Sequence, residues 1–296
     1  MYQKWLQAFH FVAKEGTFTG AAKRLNVGQP TISTHVGNLE GRFGVELFKR
    51  QGRSISLTAA GVSLFDITQD LYGHEQEAID FLNDVKNLET GELRFSAVGP
   101  FDVMEILETL RKKRPGIRCT LRLGTIEDVV ADLDEFRADI GIVGRDIESE
   151  TIYSTFYNLH EVLVIVNKQH RLSERTEISL NEIEGENMVI RGASSTTQKA
   201  FDSAAREMGI YTRPVIKIES REGLREAITR NLGIGVISKP EFAPHPALSA
   251  IQVSDAEIYT SAYIVCLKSR RNRAMISETF QIAEEITKLR KTDRTF

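Results

Sequence analysis

The stretch that decides the fold is GTFTGAAKRLNVGQPTISTHVGNLEGRFGVELFKR, residues 16 to 50. Its first part has apolar residues at three- and four-residue steps, which predicts a short helix with one apolar face: Phe18, Ala21, Ala22 and Leu25. Asn26-Val27-Gly28 then interrupts the helical period. Gln29-Pro30 begins a second helix, because proline in a first turn loses no hydrogen bond. We therefore predict two short helices joined by a tight turn.

The second helix combines a buried stripe with a polar outer face. The stripe consists of Ile32, Val36 and Leu39. Short hydrogen-bonding side chains cover the remaining surface: Gln29, Thr31, Ser33, Thr34, His35 and Asn38. Such side chains on a rigid helix reach base edges and phosphates when the helix lies in the major groove. Gly37 costs a helix about 1 kcal/mol relative to alanine, which favours a close approach of backbone or of a neighbouring helix there.

A family pattern separates this stretch from an ordinary pair of packed helices, which periodicity alone would favour. The pattern consists of Ala21-Ala22, Leu25, Gln29-Pro30, Ser33, Leu39-Glu40, Phe43-Gly44, Leu47-Phe48, Arg50, Leu57-Thr58 and Ala60-Gly61. In the order and spacing of these residues, the sequence resembles the LysR-type transcriptional regulators. The resemblance implies an α/β protein with an N-terminal winged helix-turn-helix, a long linker helix and a two-lobed effector domain that is similar to periplasmic binding proteins.

The same resemblance implies the partners of the protein. Members of this family are bacterial regulators that bind a double-stranded DNA operator and a small metabolite. They form a homodimer through the linker helix, and the family tendency is a homotetramer that bends DNA. RNA polymerase would be a further partner. No cofactor is implied.

Charge is distributed unevenly along the chain. The 296 residues carry a formal net charge of −3. Residues 1 to 60 contain eight lysines and arginines against three glutamates, so this part carries +5 and the remainder −8. A basic N-terminal module on an acidic body is expected when one end of a protein meets phosphates.

A short hairpin follows the helix pair. Ile55 and Leu57 alternate with hydroxyl residues after a Gly-Arg entrance, which predicts a β-wing. Arg53 at its tip is the candidate for a minor-groove or phosphate contact, although most turn arginines are simply solvated. The predicted DNA-contacting residues are Thr17, Lys23, Arg24, Gln29, Pro30, Thr31, Ser33, Thr34, His35, Asn38, Lys49, Arg50, Arg53 and Ser54.

A long helix is predicted from residue 60 to residue 88. No proline interrupts it, and apolar residues repeat at steps of three and four, with His74 as the one polar member of the seam. Such a helix cannot bury its stripe on itself, so it is expected to pair with a second copy. The predicted dimerisation residues are Leu64, Ile67, Leu71, Ala78, Phe81 and Val85.

Strands and helices alternate from about residue 90 onwards. This alternation implies a parallel sheet with helices on both faces, and a second unit of the same kind begins near His160. Two crossings between the units would form a hinged cleft. The predicted domains are 1–59 (winged helix-turn-helix), 60–89 (linker helix) and 90–296 (effector domain), with lobe I at about 90–159 and 268–296 and lobe II at about 160–267.

The candidate effector site lies in the loops that follow the strands, where ligands bind in open sheets. Arg191 precedes a small turn and four hydroxyl residues that open a helix, so backbone N–H groups, hydroxyls and the positive helix end favour an anion. The alternative is a simple Ser/Thr helix cap. A phosphonate-type oxyanion is our specific hypothesis. The predicted effector-binding residues are Pro100, Phe101, Asp102, Gly124, Thr125, Arg145, Arg191, Ser194, Ser195, Thr196, Thr197 and Arg221.

Several other classes of protein are disfavoured. The six histidines are scattered and no nucleophile elbow or phosphate-binding glycine loop occurs, so we expect no enzyme and no catalytic residue. Two distant cysteines indicate neither a disulfide framework nor a metal site. The first residues do not resemble a secretory signal, and a cytoplasmic protein is expected. The alternative function is a solute-binding protein or an enzyme on the same two-lobed fold.

Overall fold

The computed structural model describes residues 2–51, 54–86 and 91–293. The chain divides into two compact units, Met1–Lys86 and Asn87–Phe296. Within the described ranges, none of the helices has both the length and the apolar character needed to cross a lipid bilayer.

The N-terminal unit contains the predicted helix pair and wing. Its elements are α1 (Tyr2–Glu15), α2 (Phe18–Arg24), α3 (Gln29–Phe43), β1 (Phe48–Gln51), β2 (Ser54–Leu57) and α4 (Ala59–Lys86). The turn between α2 and α3 has Asn26 at φ 53°, a left-handed conformation that asparagine tolerates. Phe9, Ile32 and Val36 are among the fully buried residues at its core. The winged helix-turn-helix that the sequence predicted is thereby confirmed.

Phe43 lies outside this core. Its side chain is 60% exposed and its ring lies 5.9 Å from that of Tyr2 on the surface. The reason is the left-handed Gly44 (φ 65°), which ends α3 immediately after Phe43 and redirects the chain. Leu47 and Phe48 then enter the core.

Helix α4 is 28 residues long and belongs to the N-terminal unit. Leu64, which was predicted to serve dimerisation, packs against the core of its own unit, because α1 covers the first turns of α4. Ile67 and Leu71 are 64% and 48% exposed. The backbone at Ala78, Phe81 and Val85 is helical and Ala78 is exposed, while residues 87–89 of the predicted linker lie outside the described ranges.

The C-terminal unit has two lobes joined by two long strands. Its elements are β3 (Glu92–Ala97), α5 (Pro100–Lys113), β4 (Arg118–Leu123), α6 (Ile126–Asp134), β5 (Ile140–Val143), β6 (Ile152–Asn167), β7 (Glu177–Ile178), β8 (Asn187–Arg191), α7 (Thr196–Glu207), β9 (Arg213–Ile218), α8 (Arg221–Thr229), β10 (Gly235–Ser238), β11 (Leu248–Val253), β12 (Tyr259–Leu267) and α9 (Ala274–Asp293).

The sheet is mixed, and the prediction of a parallel sheet was wrong for half of it. In lobe I, β4, β3 and β5 are parallel, as expected. The strand β12 then lies antiparallel to β5 on one side and to β6 on the other. In lobe II, β10 and β11 run antiparallel to β6, and β8 and β9 form a separate parallel pair. The antiparallel part arises because the chain crosses between the lobes along two paired strands.

The strand β6 crosses from lobe I to lobe II. It spans 16 residues, starts at Ile152 rather than near His160, and contributes to both lobes. Its partner β12 pairs with it from Tyr259–Glu161 to Leu267–Ile152. The two lobes therefore meet along a two-stranded ladder, and side chains from both lobes face each other beside it.

Candidate DNA-binding and effector sites

The outer face of α3 is polar and mostly exposed. Gln29, Pro30, Thr31, Thr34 and Asn38 are exposed to solvent, as the sequence predicted for this face. No lysine or arginine lies on α3 before Arg42. The helix thus offers hydrogen-bonding groups rather than charge.

Two hydrogen bonds use part of this polar face. Gln29 Nε2 donates to Ser33 Oγ at 3.0 Å, and Thr34 Oγ1 donates to the Pro30 carbonyl at 2.9 Å. The Thr34 hydroxyl therefore uses its proton within the helix, and its oxygen can only accept a further hydrogen bond. Gln29 and Ser33 restrain each other one turn apart, which fixes their orientation.

His35 does not point fully outward as the sequence suggested. Its side chain is half-buried, and its Nδ1 is buried without a hydrogen-bond partner among the described residues. Ser33 is likewise half-buried. The cause is the helical period: both residues flank the buried positions Ile32 and Val36.

Exposed cationic side chains precede and follow α3 along the sequence. Lys23, Arg24 and Lys49 are exposed. Thr17 caps α2 by accepting the Gly20 N–H at 3.0 Å.

The tip of the wing is only partly described. Arg50 pairs with Ile55 and Ser54 with Gln51 in the β1–β2 ladder. Arg53 lies outside the described ranges.

Three helix N-termini converge on one cavity between the lobes. The N-cap Gly99 of α5, the first residue Thr196 of α7 and the first residue Arg221 of α8 all line it. The cavity has a volume of about 50 Å³. Unpaired N–H groups at helix starts carry partial positive charge, so this arrangement favours an anion.

Arg221 crosses from lobe II towards lobe I. Its Nε lies 2.7 Å from Glu241 Oε1, so its charge is already partly compensated. An ideal Cβ on Gly99 would lie 3.1 Å from Arg221 Nη2. The guanidinium therefore rests against the start of α5 at a position where a larger residue would interfere.

The four consecutive hydroxyl residues have different roles. Ser195 caps α7 by accepting the Gln198 N–H at 3.2 Å. This is the simple helix cap that was the alternative to an anion-binding role. Thr196 and Thr197 line the cavity, and the Thr260 hydroxyl donates to Thr196 Oγ1 at 3.2 Å. Ser194 is exposed and does not line the cavity.

Several predicted effector residues lie away from this cavity. Thr125 caps α6 in a capping box with Asp128, and the adjacent Gly124 packs against that aspartate. Arg145 is exposed and donates to the Asp146 carbonyl at 3.1 Å. The rule that ligands bind beyond strand ends selects loops, but it does not specify where each side chain points.

Arg191 is also engaged elsewhere. Its Nη2 donates to the Glu219 carbonyl at 3.3 Å, and it does not line the cavity. Burial, followed by the charge of Arg221, lowers the pKa of the Arg191 guanidinium. The side chain therefore belongs to the interior of lobe II.

Sequence reasoning missed two residues beside Asp102. Asp102 lies in the first turn of α5 rather than in a loop, with Pro100 and Phe101. His160 Nε2 lies 2.9 Å from Asp102 Oδ1, and Asn158 Nδ2 donates to the same oxygen at 3.1 Å. Both partners come from β6, about 58 residues away in sequence, so no local signal could have found them.

Comparison with known proteins places the chain in a family. Residues 3–62 match the family described as "Bacterial regulatory helix-turn-helix protein, lysR family", and residues 86–286 match "LysR substrate binding domain". The HTH-type transcriptional activator CmpR of Synechocystis sp. is 26% identical over 279 residues, which cover 93% of this chain and 91% of CmpR.

Two further similarities extend over most of the chain. The probable RuBisCO transcriptional regulator of Chlorokybus atmophyticus is 30% identical over 236 residues, or 77% of this chain and 75% of that protein. The crystal structure of full-length CbnR with its target DNA has a TM-score of 0.71 and 18% identity, and covers 95% of this chain and 98% of CbnR. At 18% identity, the similarity to CbnR is evidence for a shared fold alone.

The architecture defines a helix-turn-helix regulator that carries a two-lobed substrate-binding domain. The chain belongs to the LysR family of bacterial regulatory proteins. The named relatives are transcriptional regulators, which supports the expectation that the protein is not an enzyme.

Proposed function

We propose that the protein regulates transcription by binding a DNA operator with α3 in the major groove. The observation that carries this proposal is the exposed polar face of α3 on a basic unit with exposed Lys23, Arg24 and Lys49. Hydrogen-bonding side chains without charge read base edges, and flanking cations hold phosphates. Gln29, Thr31 and Asn38 are the proposed base readers.

A binding titration distinguishes residues that read bases from residues that bind phosphates. The probe is the DNA fragment directly upstream of the protein's own gene, compared with unrelated DNA by fluorescence anisotropy over a salt series. Asn38→Ala should reduce the preference for the specific fragment by about 1–3 kcal/mol. Lys49→Gln should weaken binding to both DNAs and reduce the salt slope by about 0.9.

The matched control is Lys4→Gln, which removes an exposed lysine of α1 that is not a proposed contact. It should leave the salt slope unchanged. Equal effects of all three substitutions would contradict the assigned roles, and absence of DNA binding by the full chain would leave the solute-binding alternative.

We further propose that α4 pairs with α4 of a second copy. Ile67, Leu71 and Leu82 are 64%, 48% and 65% exposed, and with Ala78 they follow helical spacing along one side. Phe81 and Val85 continue the proposed seam. Exposed apolar stripes of this length indicate a partner surface.

Sedimentation velocity tests the proposed dimer. Ile67→Lys together with Leu71→Lys should shift the protein from dimer to monomer, because two charges would be buried without partners. Val62→Lys is the matched control, since Val62 is exposed on α4 but lies off the seam. A dimer that survives the double substitution would place the interface elsewhere.

The proposed effector is a small anion held at the three converging helix N-termini. Thr196 and Thr197 add hydroxyl donors there. Asp102 and Glu241 are acidic residues of the same cavity, but the first is held by His160 and Asn158 and the second by Arg221. A phosphonate-type oxyanion, with several acceptor oxygens, is the more specific hypothesis.

Calorimetry on the full chain with acetate, glycolate, methylphosphonate and inorganic phosphate tests this class. Thr196→Val keeps the shape but removes the hydroxyl, and should weaken anion binding about tenfold. Ser194→Ala, outside the cavity, is the control. Binding of carboxylates alone would reject the phosphonate hypothesis, and binding of no anion would reject the proposed site.

The regulatory step follows from the two-lobed fold. An anion that binds the closed cleft better than the open one shifts the lobes, and in a dimer or tetramer this alters how the DNA is bent. The available coupling is the difference between the two affinities, typically about 1–3 kcal/mol. Contact with RNA polymerase would then depend on that bend.

A further inference from the structure

A second cavity lies between the lobes. Its volume is about 180 Å³. Lobe I contributes Phe101 and Leu123, and lobe II contributes Ile165 and Phe242. An apolar cavity of about 150 Å³ lined by leucine, isoleucine and phenylalanine can hold a benzene molecule, so the volume of this cavity has room for one aromatic ring.

Two of the apolar side chains that line this cavity are partly exposed to solvent. Phe101 is 38% exposed and Leu123 is 51% exposed. Removing such surface from water is favourable, and the two residues lie on the lobe opposite Phe242. The body of an occupant should therefore be apolar.

Two opposite charges lie at the rim of the same cavity. Glu222 and Arg225 are three residues apart on α8, and both are exposed. In the described parts of the chain neither forms an ion pair or a side-chain hydrogen bond, and Glu222 acts on Arg191 only through space. Arg221 of the same helix is instead held by Glu241.

The rim distinguishes between classes of ligand. A purely anionic molecule would meet the carboxylate of Glu222, and a purely cationic one would meet the guanidinium of Arg225. A molecule that carries both charges satisfies both groups. We propose that the second cavity binds an apolar α-amino acid, with its side chain between Phe101, Leu123 and Phe242, its carboxylate at Arg225 and its ammonium at Glu222.

This site is distinct from the proposed anion site but shares a wall with it. Phe101, Arg221 and Glu241 line both cavities. An amino acid in the second cavity would contact both lobes, so it would change the affinity of the first cavity for its anion, and the anion would change the affinity for the amino acid equally. The protein would then respond to two metabolites.

Calorimetry on the full chain tests the proposed ligand class with three probes. L-Phenylalanine has both charges, phenylacetate lacks the ammonium, and phenethylamine lacks the carboxylate. L-Phenylalanine should bind at least tenfold more tightly than either analogue. Glu222→Gln and Arg225→Gln should each remove that advantage, whereas Arg230→Gln should not, because Arg230 pairs with Glu226 outside the cavity.

A cavity-filling variant gives an independent test. Ala243→Phe places a ring in the second cavity at an exposed lining residue that the first cavity lacks. It should abolish L-phenylalanine binding and leave anion binding in place. Phenylacetate binding as tightly as L-phenylalanine would overturn the amino acid assignment. Binding of none of the three probes would mean that the second cavity is only a gap in the packing and not a ligand site. Neither result depends on DNA binding.

Discussion

His10 joins α1 to α4 inside the N-terminal unit. Its Nδ1 lies 3.2 Å from Thr68 Oγ1, and the Thr68 hydroxyl donates to the Phe65 carbonyl. Because that hydroxyl has already given its proton away, the histidine must donate to it, which assigns the neutral tautomer with the proton on Nδ1. Burial, followed by the charge of Lys14, lowers the pKa of His10 to about 4.

We expect the free energy of unfolding of this unit to fall as the pH decreases from about 6.5 to about 4. In the unfolded chain a histidine takes up its proton near pH 6.5, whereas folded His10 does so near pH 4. Between these values the unfolded state holds more protons, so stability rises with pH, by on the order of 3 kcal/mol across the window. The change in the free energy of unfolding is measured by urea unfolding, monitored through the fluorescence of Trp5, the only tryptophan.

The control variants isolate this histidine. His10→Gln should flatten the pH dependence in that window. His245→Gln, in the other unit, should leave the Trp5 signal unchanged. A pH dependence that persists in His10→Gln would assign the effect to another group.

Gly37 gives a second prediction for a single residue. The sequence suggested that it allows a close approach, but an ideal Cβ there would meet no atom within 4 Å in the described structure. Gly37→Ala should therefore stabilise the N-terminal unit by up to about 1 kcal/mol through helix propensity. Urea unfolding measures the change. Gly61→Ala, whose Cβ would lie 2.2 Å from the Leu47 carbonyl oxygen, should destabilise instead.

At the scale of elements, Glu40 connects the end of α3 to the wing. Its Oε1 accepts the backbone N–H groups of Leu47 and Phe48 at 2.8 and 3.2 Å. Carboxylates that accept two N–H groups fix a turn more firmly than neutral acceptors do. The side chain thus sets the direction in which the chain leaves α3.

Removing this carboxylate should destabilise the unit. We expect Glu40→Ala to lower the free energy of unfolding by about 1–3 kcal/mol, because two partly buried N–H groups lose their acceptor. The matched control, Glu46→Ala, removes an exposed carboxylate two residues before Phe48 and should change stability by less than about 0.5 kcal/mol. Trp5 fluorescence in urea distinguishes the two. Equal effects would mean that Glu40 contributes only charge.

The elements that could be predicted are those with local signals. Helices α2 and α3 follow from apolar spacing and from Gln29-Pro30, and the parallel strands of lobe I follow from strand-helix alternation. The antiparallel pairing of β6 with β12 could not be predicted, since its partners are about 100 residues apart and no turn joins them. For the same reason, Asp102 gave no sign of its partners on β6.

At the scale of the whole C-terminal unit, two glycines of lobe I receive side chains of lobe II. Gly99 faces Arg221, and an ideal Cβ on Gly144 would lie 2.6 Å from Thr196 Cγ2 and 2.8 Å from its Oγ1. The Ser261 hydroxyl donates to the Gly144 carbonyl at 3.2 Å. At Gly144 the lobes can therefore approach this closely only while the residue lacks a side chain, whereas at Gly99 the tip of Arg221 would have to give by only a few tenths of an ångström.

Gly144→Ala should oppose this approach. We expect a loss of roughly 1–3 kcal/mol in stability, as for overpacked cores, or a more open unit in small-angle scattering. Thr196→Ala in the same chain removes the two nearest atoms, Cγ2 and Oγ1, and should bring the scattering profile back towards that of the wild type. Gly91→Ala is the control, since its Cβ would meet nothing within 4 Å. A Gly144→Ala protein with unchanged stability and scattering would show that Thr196 moves aside freely.

The placement of β12 has a consequence for synthesis of the chain. This strand lies between β5 and β6 in the sheet, and α9 packs on α5, so lobe I requires segments from residues 92 to 293. Until Leu267 has left the ribosome, β5 keeps an unpaired edge, and exposed strand edges invite aggregation. Lobe I therefore cannot be completed before the segments of lobe II have been synthesised, and premature termination before β12 yields a chain whose first lobe cannot close its sheet.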